Sequence, residues 1–388
     1  MPTIKSFPHF FSQTDPRILQ DIQTVTDYLT QNYNAKCYVV GGAVRDRILG
    51  YVCKDYDIEC FGICVEDFEK AMQHLGGQGV GKSFFVYKYH HLDICLPRTE
   101  QKIAKGHKGF KVDLAKDEKE ASRRRDFTVN ALMYDIQNER IIDFWHGFED
   151  LEHKILRVVD EHAFVDDSLR VLRAMQLATR FGFKVEEKSC KLCQSIALDD
   201  LPKERLFIEF EKMFTGRYLH YGLYYLFALG IFEKLFHVEK SLSENIQRKT
   251  FIALSKKLQK AQQDFADKLR PYYYLFICRP YLQTDIVEVL ERLGAPRRYY
   301  KKITAAPIPK NVTPSFVANL SLKEGIIEYV GNYDARVRAM AKKLDVWDKP
   351  FDRGVTAEEL LDEGFVGQDL GCELDRRTQE KIMTLKEK

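Results

Sequence analysis

The chain has 388 residues, 45% of them hydrophobic and 30% charged, which is enough to build two or more packed domains. A formal net charge of +3 excludes nucleic-acid binding through bulk charge, so any such affinity has to come from local clusters, such as Arg123, Arg124 and Arg125 or the stretch RRYYKK from Arg297 to Lys302. The longest apolar run, GLYYLFALGIF, is too short to cross a bilayer and the start MPTIKSF lacks the shape of a signal peptide, so no membrane partner and a cytoplasmic location are expected.

In chain order, residues Ile18, Leu19, Ile22, Val25 and Leu29 recur at helical spacing and predict a helix within the first 30 or so residues. The segments KCYVV, DYDIECF, FFVYKY, HLDICL and RIIDF are short, β-branched or aromatic, and predict a sheet within residues 1–145. Residues 97–109 and 306–314 read as flexible connections. Beyond residue 160 the strand signals fade. DDSLRVLRAMQLATRFGF predicts a helix that opens on acids and closes at Gly182, LPKERLFIEFEKMF predicts another with Pro202 in its first turn, and the rest reads as helical. Nine scattered cysteines read as reduced thiols, and the Cys190–Cys193 spacing has no second pair to complete a zinc site.

Two glycine-rich stretches compete as phosphate sites. GGQGVGKS, from Gly76 to Ser83, fits a G-x-x-x-x-G-K-[ST] loop, but such a loop needs a strand before it and a helix after it, and here a helical segment precedes and a strand-like one comes after. The strand CYVV runs directly into GGAVRDRILG, the right context, where Gly41 and Gly42 let the backbone approach a triphosphate and Arg45 can add a forked phosphate contact. The next strand places Asp55 and Asp57 two residues apart, so alternation puts both carboxylates on one face, roughly 7 Å apart. Such a pair suits Mg²⁺ held jointly with substrate phosphates, and two ions so held can activate a hydroxyl and stabilise a leaving pyrophosphate. A third carboxylate is expected from Asp93 or Glu59.

GGAVRD, DYD, RRRDFTVNA, DFWHGFEDL, DDSLRVLR and ERLFIEFEK succeed one another in an order that resembles the tRNA nucleotidyltransferase and bacterial poly(A) polymerase family, the class II CCA-adding enzymes, from residue 37 to about 215. The resemblance implies an α+β chain: a polymerase-β-like nucleotidyltransferase head over residues 1–150, a neck of nucleotide-selecting helices over 151–215, and a helical body and tail over 216–388 that binds tRNA. It implies Asp55, Asp57 and Asp93 as catalytic acids, the first two as metal ligands, with Gly41, Gly42, Arg45 and Arg125 on phosphate and Asp126 sensing the ribose. It further implies that Asp167, Arg170 and Arg173 read the base as a protein template, with Asp167 and Arg170 on one helix face. A carboxylate accepts from the amino group of cytosine or adenine while a guanidinium donates to the ring nitrogen, a pattern that guanine and uracil reverse. The family commonly has Glu where this chain has Asp166, and Glu204 and Arg205 are expected to brace the template helix.

The implied reaction is addition of C, C and A to a tRNA 3′ end from CTP and ATP. The alternatives are a poly(A) polymerase, an enzyme adding only A or only the two C residues, and, from other classes, a phosphate-loop ATPase centred on Lys82 or an inactive RNA-binding polymerase fold. The segment GKSF lacks the two basic residues that poly(A) polymerases tend to carry after the glycine, and residues 97–122 are long enough for a mobile loop of the kind implied for A addition. The C-terminal half lacks the His and His-Asp pattern of a phosphohydrolase module, while TAEELLDEGFVGQDLGCEL resembles the tail of bacterial members.

Overall fold

Alternation and period place the elements before any packing is considered, and the computed structural model agrees with them over residues 1–80, 85–102, 110–236, 250–261, 267–282 and 284–385, the residues it describes. The chain divides into two compact units, Met1–Pro202 with Tyr225–Lys234, and Lys203–Tyr224 with Leu235–Lys388.

In the first unit, helix α1 (Pro16–Tyr33) begins at a proline, is capped by the Asp15 side chain, and ends on Asn34 in the left-handed conformation. Its predicted stripe, Ile18, Ile22, Val25 and Leu29, is buried, and Leu19 sits at the margin. The helix packs beside a sheet built from β1 (Thr3–Ser6), β2 (Lys36–Val40), β3 (Tyr56–Phe61), β4 (Gln78–Gly79), β5 (Val86–Tyr89), β6 (Leu92–Cys95), β9 (Met133–Asp135) and β10 (Arg140–Asp143), in the spatial order β1-β10-β9-β2-β3-β6-β5-β4. All neighbours run antiparallel except β3 and β6, which are parallel with Asp57 opposite Asp93. Val39, Ile58, Phe68 and Ile94 are fully buried, giving the central strands and the helix α3 (Val65–His74) a common core.

The sheet departs from sequence expectation in three places. β1 is additional, because Thr3, Ile4, Lys5 and Ser6 are all exposed and carry no alternation. β9 is also additional, a three-residue strand with no exposed position to set a period. The stretch expected to be a flexible connection instead contributes a separate antiparallel ribbon, β7 (Arg98–Lys102) with β8 (Phe110–Leu114). Short helices α2 (Gly42–Ile48), α4 (Glu118–Arg123), α5 (Gly147–His153) and α6 (Glu161–Phe164) connect the sheet to α7 (Leu169–Phe181) and α8 (Glu187–Ser195). A small parallel pair, β11 (Ile155–Leu156) with β12 (Lys184–Val185), ties the two ends of this helical region together. As predicted, α7 stops at Gly182, whose left-handed φ of 71° lets it cap the helix.

The second unit is helical among the described residues and starts with α9 (Lys203–Phe214), directly after Pro202. Its core is aromatic. Tyr273, Tyr274 and Tyr299 are buried, Phe207 meets Tyr299 edge-on at 5.0 Å, and Phe214 stacks on Tyr274 at 5.6 Å. The RRYYKK stretch is therefore partly structural: Tyr299 donates to Glu211 at 2.9 Å, Arg298 pairs with the same carboxylate, and Lys302 donates to the Glu328 carbonyl at 2.9 Å. Near the end, Thr356 and Glu359 exchange backbone hydrogen bonds in a capping box that opens the helix Ala357–Asp362. Among the described residues no helix is long and apolar enough to cross a membrane.

One glycine fixes how α5 meets the turn Thr128–Asn130. A Cβ on Gly147 would lie 2.4 Å from the Thr128 carbonyl oxygen and 3.1 Å from the Leu132 side chain. Gly147→Ala is expected to lower stability by ~1–3 kcal/mol, read as a lower melting temperature of the first unit, since backbone and core must both move.

Candidate active site

Strand β2 delivers the chain to Gly41, whose φ of 74° belongs to the left-handed region. A Cβ there would meet the Arg125 Nη1 at 3.0 Å and the Asp57 Oδ2 within 3.8 Å, so the bare backbone is what allows these two charged groups to approach. Gly41, Asp57 and Arg125, distant in sequence, are thus brought together, with Gly42 opening α2 beside them.

Arg45 departs from the sequence expectation. Instead of facing a phosphate it is 4% exposed, donates from Nε and Nη2 to Asp46 at 2.9 and 2.7 Å, gives Nη1 to Asn130, and lies over the Phe181 ring. Burial lowers its pKa, against the pull of Asp46. The physical reason is local: the next residue is an acid and the turn Thr128–Asn130 supplies an amide oxygen, so the guanidinium fork is filled from within.

Asp55 stands just before β3 and Asp57 within it, both solvent-accessible, and Asp57 is opposite Asp93 in register. Desolvation raises the pKa of Asp57; Arg125 opposes this, while Asp93 and Glu59 reinforce it. Lys88 reaches Asp93 at 3.0 Å. Glu59, the other candidate third acid, is 1% exposed and takes Arg124 and Arg125 on Oε1 at 3.0 and 2.7 Å, leaving Oε2 without a hydrogen-bond partner. Its position fits a strut that aims Arg125, whose pKa is raised because Glu59 and Asp57 outweigh the effect of burial. Among the described residues no group of three or more His, Cys, Asp or Glu side chains forms a closed metal cage.

The RRRDFTVNA run sends its side chains in different directions. Arg123 pairs with Asp160 at 2.7 Å, Arg124 and Arg125 go to Glu59, and Asp126 turns inward at 6% exposure. Asp126 accepts from Phe127 N at 2.8 Å and Asn130 Nδ2 at 2.9 Å on one oxygen, and from Arg173 Nε at 2.7 Å on the other. Burial alone would raise its pKa, but Arg173, Asn130 and Arg170 bring it down to about 2. With the Arg180 to Asp46 contact of 2.7 Å, these bonds form one ladder: Arg180, Asp46, Arg45, Asn130, Asp126, Arg173. Sequence reading misses Asp46, Asn130 and Arg180; the first two lie inside quoted motifs, whereas Arg180 at the end of α7 carries no local signal.

The expected template residues are arranged differently from a shared helix face. Helix α7 starts at Leu169, and Asp167 lies in the turn before it, accepting from Leu169 N at 3.1 Å. Arg170 donates to the carbonyls of Arg124, at 2.7 Å, and Ala163, so it ties the arginine run to α6. Asp166 is half-buried in the same turn. Glu204 and Arg205 belong to the first turn of α9, in the second unit. For the competing loop, α3 ends before Gly76 and β4 and β5 come next, so the flanking elements are in the wrong order for a phosphate loop; Lys82 lies outside the described residues.

A sheet strand ending in a glycine pair, two acids on the adjoining strand and an inward arginine run make this a nucleotidyltransferase head, and the fold as a whole is that of the CCA-adding enzymes. The Thermotoga maritima CCA-adding enzyme complexed with tRNA_CCA superposes with a TM-score of 0.68 at 22% identity, over 100% of this chain and 97% of that one. A CCA-adding enzyme in complex with ATP gives 0.65 at 23% identity, over 98% and 94%. Residues 37–157 match the family described as the poly A polymerase head domain, and residues 182–242 the one described as a probable RNA and SrmB-binding site of polymerase A. Among curated relatives, the multifunctional CCA protein of Laribacter hongkongensis is 39% identical over 46% of this chain and 44% of its own length, and that of Nitrosomonas europaea is 41% identical over 42% and 39%. The chain thus aligns with less than half the length of these relatives. It belongs to the tRNA nucleotidyltransferase and poly(A) polymerase family.

The ladder has two measurable consequences. Asn130→Ala leaves Arg45 and Asp126 each short of a partner in a buried site, and is expected to lower the melting temperature with a loss of ~1–3 kcal/mol. Because the folded pKa of Asp126 is depressed, its stabilisation is complete above the ordinary Asp value and is lost as pH falls through about 2. The melting-temperature gap between the parent chain and Asp126→Asn should therefore be largest above pH ~5 and narrow steadily on acidification.

Proposed function

We propose that this chain adds cytidine, cytidine and adenosine to the 3′ end of tRNA, using CTP and ATP and releasing pyrophosphate. The observation that carries the reading is the convergence of Gly41, Asp57 and Arg125, with Asp93 in register beside Asp57. Support comes from the relatives, which are named multifunctional CCA proteins, and from neighbours described in complex with ATP, CTP and tRNA. A cytoplasmic location fits that substrate.

The carboxylates suit a magnesium site. Asp57 is pushed up by burial and by crowding with Asp93 and Glu59, and an acceptor oxygen of Glu59 is left without a partner, so negative charge is in excess at this edge. Asp55 and Asp57 would hold Mg²⁺, which takes one or two carboxylates together with substrate phosphates and needs no all-protein cage. When bound, the ion would lower the cost of charge developing on the reacting phosphate. The protein's own part is positional: Gly41 and Gly42 clear the approach, and Arg125, aimed by Glu59, faces the phosphates. Asp126 and Arg173 form one paired unit that presents to the sugar and base, while Asp167 occupies the turn opening α7. Arg45 has an internal role, setting the distance between α2 and Asn130. The head over residues 1–150 and the neck over 151–215 would choose and join nucleotides, with residues 216–388 holding the tRNA body.

The matched families are described by poly A polymerase, so extension with A alone is the second reading. Incubation of tRNA ending at the discriminator base with each nucleotide singly and all together, then sequencing of the 3′ end, separates them. CCA addition limited to three residues is expected; long A tails would favour the second reading, and no extension would remove both. Asp55→Ala or Asp57→Ala should each reduce turnover ~10³-fold or more while melting temperature changes little, because both side chains are solvent-accessible and a lost ion costs several kcal/mol in the transition state.

A further inference from the structure

The reaction proposed above requires two substrates to meet at the Asp55 and Asp57 pair, and any place assigned to the second of them rests on that reading. The two acids open on different spaces. Asp57 faces Gly41 and Arg125, the groups assigned to the nucleotide. Asp55 forms part of the wall of a cleft of about 1230 Å³ that includes neither Gly41, Gly42, Asp57, Arg125 nor any residue of α7.

Three segments build this cleft: the start of α1 with Arg17, the turn before β3 with Lys54 and Asp55, and the turn between β5 and β6 with His90 and His91. Tyr56 rivets them from behind. Its ring is 1% exposed, its hydroxyl shares a 2.7 Å hydrogen bond with Thr14, and its backbone N–H donates to the His91 carbonyl at 3.4 Å. The walls are consequently fixed relative to Asp57, the next residue along β3.

The chemistry of the lining is that of a polar strand with phosphates. Arg17 has 89% of its side chain exposed, and its partner Asp15 already serves as the cap of α1. Asp21 is engaged by His90 at 3.0 Å, so neither acid stands as an isolated charge. Lys54 is exposed immediately beside Asp55. The volume exceeds the roughly 300–1,000 Å³ that a single drug-sized ligand fills, which leaves room for more than one nucleotide. We propose that this cleft receives the 3′-terminal nucleotides of the RNA acceptor, so that the terminal hydroxyl reaches Asp55 from a side that the residues holding the incoming nucleotide do not occupy. Arg17 and Lys54 contact its phosphates, and the two imidazoles contact its bases or sugars.

The test maps the RNA end directly and does not depend on turnover. tRNA lacking its terminal residues is oxidised with periodate to a 2′,3′-dialdehyde and mixed with the full chain. An amine within reach condenses with the aldehyde, losing water, and cyanoborohydride reduces the imine to a stable secondary amine that peptide mass spectrometry locates. Modification of Lys54, suppressed by excess unoxidised tRNA, is expected; absence of RNA-dependent label, or label confined to lysines outside the cleft, overturns the proposal. In parallel, Arg17→Ala with Lys54→Ala should raise the KM for tRNA ~tenfold and leave the KM for CTP within ~twofold, with Lys54→Arg restoring most of the loss. An equal rise in both KM values, or no rise in either, also overturns it. A chain that adds no nucleotide yet labels at Lys54 would refute the function proposed above and leave the acceptor cleft standing.

Discussion

The carboxylate of Asp126 is buried, and a buried charge persists only when it is fully paired. Its partners are Phe127 N and Asn130 on one oxygen and Arg173 on the other, which joins the arginine run after α4 to the side chains of α7. Asn130 in turn holds Arg45, and Arg45 holds Asp46 and through it Arg180. A single carboxylate therefore anchors both the helix behind the glycine pair and the helix that opens on Asp167. Because every rung is charged or amide and little of it meets water, displacement of one rung leaves its neighbours unsatisfied, and the array behaves as a unit.

A second charge balance works at the sheet edge. Glu59 draws Arg124 and Arg125 onto one oxygen, and that places Arg125 against the open side of Gly41. The result separates labour among acids only two residues apart: Glu59 positions a cation, Asp57 faces the nucleotide side, and Asp55 faces the cleft that extends away from it. Strand alternation puts all three on one face; the tertiary surroundings then give each a different partner.

Much of this is legible in the sequence, and the limits have physical causes. The α1 stripe, the central strands and the stop of α7 at Gly182 come from period and turn chemistry, which act locally. β1 escapes because an edge strand with four exposed residues has no buried face to write into the pattern. The ribbon of β7 and β8 looks like a connection because its composition is charged and its pairing partner lies beyond the next turn. At the site, spacing identifies Gly41, Asp55, Asp57, Arg125 and Asp126 as a group, and the fold does gather Gly41, Asp57 and Arg125. Spacing cannot foresee that Arg45 turns inward, since the decisive partner, Asn130, is 85 residues away. An i, i+3 pair such as Asp167 and Arg170 usually shares a helix face; here the helix begins between them.

The same edge strand has a consequence for how the chain behaves among copies of itself. An open sheet ends in two rows of unpaired backbone groups, and a long flat row is a template for intermolecular pairing. Here one border is β4, only two residues long, and the other is β1, four residues with Lys5 among them and its ammonium drawn 4.0 Å over the Phe148 ring. A second chain docking along β1 would have to accommodate that cation at the middle of the register, and along β4 it would find too few groups to hold. The eight-stranded sheet is thus closed to extension by chemistry rather than by curvature, which favours a protein that stays dispersed while its apolar centre remains a continuous slab.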